Sequence, residues 1–135
     1  MIEEESIMLI EGDGRDMVWR NTAGQIHRIG APAVISDQGE WWIENGRQHR
    51  IDGPATIRSN GERYWYQNGR LHREDGPAVD YGNSTRSSWY LHGSWCCDAA
   101  EWARELLRER QEPSDEESVQ RFLQPILQKQ LVELI

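Results

Sequence analysis

Residues 65–78 read Trp65-Tyr66-Gln67-Asn68-Gly69-Arg70-Leu71-His72-Arg73-Glu74-Asp75-Gly76-Pro77-Ala78. They repeat, without a gap, the pattern of residues 42–55, which read Trp42-Ile43-Glu44-Asn45-Gly46-Arg47-Gln48-His49-Arg50-Ile51-Asp52-Gly53-Pro54-Ala55. A weaker copy begins at Trp19, and a half copy begins at Trp89, in which Cys96 stands where the histidine would be. The copies therefore recur about every 23 residues. A fixed period of this length is typical of repeat architectures, so we expect a fold built from one structural unit per copy.

The turn signals within each copy predict β-hairpins. Asn45-Gly46 and Asn68-Gly69 are favoured dipeptides for tight turns with positive φ, and the segments around them are rich in Trp, Tyr and Ile. Proline removes one ladder donor, so we expect a bulge or corner at each Asp-Gly-Pro step. The fold class that follows is α+β: an antiparallel β-hairpin meander, forming a single-layer twisted sheet that gains two strands per copy and is capped by C-terminal helices.

The two ends of the chain predict caps for this array. Ile7 to Ile10 and Asp16 to Trp19 form an opening hairpin, so residues 1–17 are an acidic N-terminal cap and residues 18–97 are the hairpin repeats. Residues 98–135 form a helical cap that covers one face of the sheet. Asp98 begins a first helix that ends near residue 110, Ser114 begins a second, and Pro125 kinks the second helix or divides it.

The charge is spread unevenly along the 135 residues. The net charge is −8, of which residues 1–17 carry −5, residues 18–95 carry +1 and residues 96–135 carry −4. The basic residues of the repeats are all arginine, which suits stacking on aromatic rings better than diffuse attraction to phosphate. The acidic start and short apolar run predict neither a secretory signal nor a membrane span, hence a cytoplasmic protein. Cys96 and Cys97 are expected to be two small buried hydrophobic residues.

The repeated histidines and aspartates look like a catalytic or metal set but are predicted to be structural. Equivalent side chains in successive copies lie about 9–10 Å apart, two strand spacings, so one zinc ion cannot join His27, His49 and His72. We expect each imidazole to hydrogen-bond a neighbouring turn or strand backbone. Asp52 and Asp75 are expected to be turn residues that also meet an adjacent arginine. We therefore predict no catalytic residues, metal or cofactor, and no enzymatic activity.

The aromatic residues divide between the two faces of the predicted sheet. One column, expected to be core, recurs at intervals of 23, 23 and 24 residues: Trp19, Trp42, Trp65 and Trp89. The opposite face carries a more varied set that, with two turn arginines, is the candidate partner-binding surface: Trp41, Tyr64, Tyr66, Tyr90, Arg47 and Arg70. The last helix has an apolar stripe that could pair with another subunit: Phe122, Leu123, Ile126, Leu127 and Leu131.

The string from Asn68 to Val79 resembles the MORN-like repeat variant found in bacteriophage and bacterial proteins, with the pattern Asn-Gly-x-Leu-His-Arg-x-Asp-Gly-Pro-Ala. The resemblance covers roughly residues 18–95. It implies a β-hairpin array that serves as an interaction scaffold, with a phage origin, and it implies no catalytic residues. The helical tail lies outside it.

We therefore expect a non-enzymatic protein-binding module, such as a phage-encoded inhibitor that acts on a host defence protein in the host cytoplasm. A homodimer through the last helix or an open sheet face is a further form that the sequence allows. Two alternative functions stay open: a nucleotide or small-ligand sponge that stacks bases on the aromatic column, and an acidic DNA mimic. Direct nucleic-acid binding is disfavoured, and no membrane partner is expected.

Overall fold

A computed structural model of the chain describes residues 6–82 and 87–133. In this part of the chain, short strands precede two helices. The strands of the first half are β1 (Ile7–Glu11), β2 (Asp16–Arg20), β3 (Val34–Ser36), β4 (Gly39–Trp41), β5 (Ile43–Glu44) and β6 (Arg47–Gln48). They are followed by β7 (Thr56–Arg58), β8 (Arg63–Tyr64), β9 (Tyr66–Gln67), β10 (Arg70–Leu71), β11 (Val79–Asp80), β12 (Ser87–Leu91) and β13 (Ser94–Cys96). The helices are α1 (Ala99–Glu109) and α2 (Glu116–Glu133).

The large sheet is an open antiparallel meander. Its nine strands follow the order β1-β2-β3-β4-β7-β8-β11-β12-β13, and β5–β6 and β9–β10 form two separate two-stranded ladders. Both predicted Asn-Gly turns are present, with φ of 51° at Asn45 and at Asn68. The opening hairpin is also present, with Leu9 opposite Val18. The predicted α+β class, a hairpin meander followed by helices, is confirmed.

Each full copy of the repeat divides its strands between the large sheet and a small hairpin. The chain leaves the sheet at Trp42, forms the hairpin β5–β6, and returns to the sheet at Thr56. The Asp-Gly-Pro step lies in the irregular connection of residues 49–55. Pro54 has no backbone N–H, but at this position its absence breaks no hydrogen bond between strands. The third copy follows the same route through β9–β10.

One face of the large sheet carries a continuous row of directly opposed residues. The row runs Leu9, Val18, Val34, Trp41, Thr56, Tyr64, Val79 and Ser88. Val18, Thr56 and Val79 are buried, and the Thr56 hydroxyl bonds the side-chain carbonyl of Gln48. This contact places the β5–β6 hairpin over the face that holds Trp41 and Tyr64, since directly opposed residues share a face.

The helices cover the C-terminal end of the sheet, not the whole of one face as the sequence predicted. α1 packs on β12 and β13 through a buried cluster: Trp89, Leu91, Cys96, Trp102, Ala103, Leu106, Leu107, Val119 and Leu123. Beyond it, α2 reaches the sheet at Arg63, which pairs with Glu133, and at Ser87, which meets Gln130. These contacts lie on β8, β12 and β13, in the C-terminal part of the strand order.

Three local predictions for the C-terminal region need correction. Pro125 does not divide the second helix, because α2 runs unbroken from Glu116 to Glu133 and Leu123 and Ile126 on either side of the proline both pack against the apolar cluster. α2 is capped by the Asp115 carboxylate, which accepts from the Ser118 backbone N–H at 3.4 Å, and not by Ser114. Cys96 is buried as predicted, but Cys97 is exposed.

Candidate partner-binding surface

Each tryptophan of the first three copies is covered by an arginine that follows it in the same copy. The guanidinium carbons of Arg28, Arg50 and Arg73 lie 3.8, 3.8 and 3.7 Å from the ring centroids of Trp19, Trp42 and Trp65. The same arginines donate from Nη1 to the carbonyls of Pro32, Pro54 and Pro77 at 3.2, 3.1 and 3.0 Å. We call this arrangement the arginine clasp. It combines cation–π stacking with a charge-assisted hydrogen bond and closes the Gly-Pro loop onto the tryptophan.

The repeated aspartates attach to the clasp from outside. Asp52 accepts from Arg50 Nε at 3.1 Å, and Asp75 accepts from Arg73 Nε at 2.7 Å, with the carboxylates largely exposed. In the first copy Gly30 stands at the aspartate position, yet Arg28 keeps its stack. The aspartates are therefore accessory to the clasp, which forms without one in the first copy.

The histidines join each copy to the next. His27, His49 and His72 each accept at Nδ1 a backbone N–H from the following hairpin turn, at 2.9, 3.0 and 2.9 Å. The donors are Asn45, Asn68 and His92, which have φ of 51°, 51° and 53°. Because Nδ1 accepts, its lone pair must be free, which fixes these rings with the proton on Nε2. This is the backbone bond predicted from the sequence, and it separates the histidines instead of bringing them together.

The last copy replaces the arginine of the clasp with a residue of α1. Trp102 lies 4.7 Å from Trp89 between ring centroids, and its Nε1 donates to the Arg73 carbonyl at 3.0 Å. The sequence analysis did not identify this role of Trp102. The available signal was the loss of the His-Arg pair after Trp89, where Cys96-Cys97 stands.

A polar cluster links the third copy to the end of α1. His72 Nε2 lies 2.9 Å from the Glu74 carboxylate, which also accepts from Arg110 at 3.2 Å. The hydrogen bond from His72, followed by that from Arg110, lowers the pKa of Glu74 below its ordinary value against the opposing effect of burial. The His92 ring stacks on His72 at 4.4 Å and its Nε2 lies 3.0 Å from Glu109. The cluster therefore fastens the helix to the array.

The predicted partner-binding residues fall into three pairs in the structure. Trp41 and Tyr64 share the half-buried row described above, and the Tyr64 hydroxyl donates to Glu62 at 2.8 Å. Arg47 and Arg70 are exposed on the hairpins, each alongside the glycine of the next turn, and they form no ion pair within residues 6–82 and 87–133. The carbonyls of Tyr66 and Tyr90 accept from the backbone N–H groups of Arg50 and Arg73 in the preceding copy, and both tyrosine side chains are half-buried. The hairpin arginines are thus the accessible part of this surface.

The residues proposed for a dimer helix are only partly available. Leu123 is buried, Ile126 packs against the core, and the ring of Phe122 lies 6.0 Å from Trp102. Leu127 and Leu131 are exposed. The stripe therefore contributes its first half to the chain's own core.

The tryptophan column offers little free ring surface to a stacked base. Trp65 has the Arg73 guanidinium at 3.7 Å and that of Arg63 at 5.2 Å, so a base entering on either arginine's side must displace it. A cleft of about 540 Å³ does lie beside Trp65, lined also by Arg110 and Lys129. The cleft is mixed in charge, because Asp52, Asp75, Glu74 and His72 line it as well.

The described part of the chain holds no group of three or more His, Cys, Asp or Glu side chains arranged to bind a metal ion. Within the same part, neither helix has the length and apolar character needed to cross a membrane. Comparisons of the chain with protein-family models, curated proteins and solved structures return no match.

Proposed function

We propose that this chain is a non-enzymatic binding module that acts by protein–protein contact, of the kind a phage uses to inhibit a host defence protein. The MORN-like resemblance of residues 68–79 extends the proposal to phage origin and the host cytoplasm. The partner is then a host protein, and no cofactor is required.

The observation that carries the proposal is the use of the repeated polar side chains within the array. The three histidines are each bound to a backbone N–H, and the three arginines of the clasp are each stacked and hydrogen-bonded. General acid–base catalysis needs two titratable groups beside a sheltered cleft, with freedom to exchange protons. Groups that hold the fold together support a scaffold role, which leaves the exposed hairpin side chains for recognition.

The exposed arginines are the best recognition elements of this surface. Arg47 and Arg70 occupy equivalent positions on successive hairpins, so their spacing is set by the rigid contact between copies. Arginine is enriched at interface hot spots, where its planar group binds carboxylates and stacks on rings. A partner with acidic side chains fits this row.

A capture experiment with matched variants tests the proposal. The full chain is immobilised and exposed to bacterial host lysate at moderate salt, beside the double variant Arg47→Ala/Arg70→Ala. The control is Arg121→Ala, which removes an exposed arginine from α2. A host protein retained by the wild type and the control but lost by the double variant supports the proposal; an empty wild-type column at both low and moderate salt contradicts it.

The sponge alternative makes a different prediction. A ligand that binds only the folded state raises the unfolding midpoint by mass action. Thermal unfolding with a panel of nucleotides should leave the midpoint unchanged if the chain is a protein-binding module. A shift abolished by Trp42→Leu would favour the sponge.

A further inference from the structure

The small hairpins pair with one another through two backbone hydrogen bonds that recur at fixed positions. The residue before each histidine accepts from the next turn glycine: Ile26 from Gly46 at 2.9 Å, Gln48 from Gly69 at 2.8 Å and Leu71 from Gly93 at 2.8 Å. The residue after each histidine donates to the next hairpin: Arg28 to Ile43 at 3.0 Å, Arg50 to Tyr66 at 3.0 Å and Arg73 to Tyr90 at 3.4 Å. Each hairpin thus uses its outer edge to bind the hairpin that follows.

β13 presents the same edge with no hairpin after it. Cys96 holds the histidine position, so Trp95 and Cys97 hold the positions that accept and donate in the three earlier copies. Within residues 6–82 and 87–133, the Trp95 carbonyl and the Cys97 N–H form no hydrogen bond across this edge, and β13 pairs only with β12. The outer edge of β13 is therefore an unpaired strand edge of the same kind that binds the next hairpin in the three earlier copies.

A groove of about 490 Å³ runs beside this edge. One wall is the strand itself, with the Trp95 side chain 63% exposed. The other wall is one stripe of α1, where Glu101, Glu105 and Glu109 follow at intervals of four residues. α1 leaves the groove open because it turns its apolar side, with Trp102, toward the core.

The acidic residues of the groove favour a positively charged occupant. All three of its glutamates have partners: Glu101 and Glu105 pair with Arg104 and Arg108 of the same helix in partly exposed contacts that contribute little, and Glu109 meets His92 at 3.0 Å. The wall therefore stays attractive to cations. A second copy of the chain carries a net charge of −8 and is repelled. In addition, β1 covers the outer edge of β2, with Ile7 opposite Arg20, so the first hairpin of a second copy cannot dock in the manner of the internal ones.

We propose that the outer edge of β13 binds an extended segment of a partner protein rich in lysine or arginine, by strand addition. The Trp95 carbonyl and the Cys97 N–H supply the backbone contacts, Trp95 packs on an apolar side chain of the added strand, and the glutamates of α1 receive its basic side chains. The inference rests on the proposed function, for which it names a second surface and the chemistry of the segment bound there.

Titration of a basic peptide tests the inference with the full-length chain. The probe is a fluorescein-labelled ten-residue peptide of alternating lysine and valine, and its twin has glutamate in place of lysine. Polarisation measures the affinity under reducing conditions, and amide NMR shifts report where the peptide lies. We expect saturable binding of the lysine peptide that weakens with salt, no binding of the glutamate twin, and shifts centred on β13 and α1.

Three exposed-site variants identify the groove without threatening the fold. Glu101→Gln/Glu105→Gln should weaken binding by roughly three- to tenfold, Trp95→Ala should weaken it further, and the matched control Glu117→Gln on α2 should bind as the wild type. Equal binding of both peptides, shifts away from β13, or no effect of the groove variants would overturn the inference. So would a concentration-dependent dimer that Trp95→Ala abolishes, since a second copy would then occupy the edge.

The failure of this inference is distinguishable from failure of the proposed function. A host protein captured by the wild type and equally by the groove variants would remove the β13 site and leave the binding module standing. If the wild-type capture column stays empty while the groove binds the lysine peptide, the proposed function fails and the β13 site stands.

Discussion

Replacing Arg50 tests whether the arginine clasp stabilises the array. The guanidinium lies 3.8 Å from the Trp42 ring centroid, donates to the Pro54 carbonyl at 3.1 Å, and its side chain is only 20% exposed. A partly desolvated cation–π contact is worth about 1–2 kcal/mol, and a hydrogen bond from a charged donor adds about 1.5–3 kcal/mol. We therefore expect Arg50→Ala to lower the free energy of unfolding by about 2.5–5 kcal/mol, with Arg50→Lys in between.

The matched control is the carboxylate on the same guanidinium. Asp52 has an 83% exposed side chain, so Asp52→Ala should change the free energy of unfolding by at most about 0.5 kcal/mol. Urea unfolding followed by far-ultraviolet circular dichroism measures both variants without relying on tryptophan emission. A cycle with Trp42→Leu should give a coupling energy of about 1 kcal/mol between Arg50 and Trp42. Equal losses of unfolding free energy for Arg50→Ala and Asp52→Ala, or a coupling energy of zero between Arg50 and Trp42, would refute the inference that the clasp stabilises the array.

Three further outcomes follow from the structure. Trp102→Ala should cost about 3–5 kcal/mol in urea unfolding, since it opens the core between the last hairpin and the helices; a loss under 1 kcal/mol would contradict the packing described. The folded-state pKa of Glu74 is below its ordinary value of 4.5, so its contribution to stability is complete above pH 4.5 and is lost as the pH falls through the lower value. Glu74→Gln should therefore flatten the acid limb of stability against pH, and an unchanged limb would count against the bonds of Glu74 to His72 and Arg110. Gly39→Ala should lower the free energy of unfolding by more than about 2 kcal/mol, and Gly61→Ala should lower it by about 1 kcal/mol. Both glycines have positive φ, but of the two only Gly39 would place an added Cβ 2.3 Å from the Ile57 carbonyl oxygen. Similar losses for the two variants in thermal unfolding would show that the backbone shifts to relieve this close approach.

The sequence predicts the parts of this fold that depend on local backbone chemistry. Asn45 and Asn68 are among the few residues that adopt positive φ readily, so the hairpin turns could be placed to the residue. Asp98 caps α1 as expected because its carboxylate accepts from the Glu101 N–H at 2.8 Å.

The parts that the sequence did not predict depend on contacts between distant residues. Pro125 disfavours a continuous helix locally, but packing of its neighbours on the core overrides that preference. The substitution of Trp102 for the clasp arginine joins residues of different elements and follows no sequence period. The proposed β13 site depends on which strand edges remain unpaired, and only the complete strand order reveals those.

The shared contact between copies makes the internal units interchangeable. Each hairpin meets its successor through the same histidine acceptor and the same two backbone bonds, so an excision of residues 42–64 would bring Trp65 directly after Trp41 and reunite His27 with the turn of Asn68. Stability in such a linear array is nearly a sum over neighbouring interfaces. Evolution or an engineer can therefore alter the length of this protein one unit at a time, moving the two ends apart or together while neither end is redesigned.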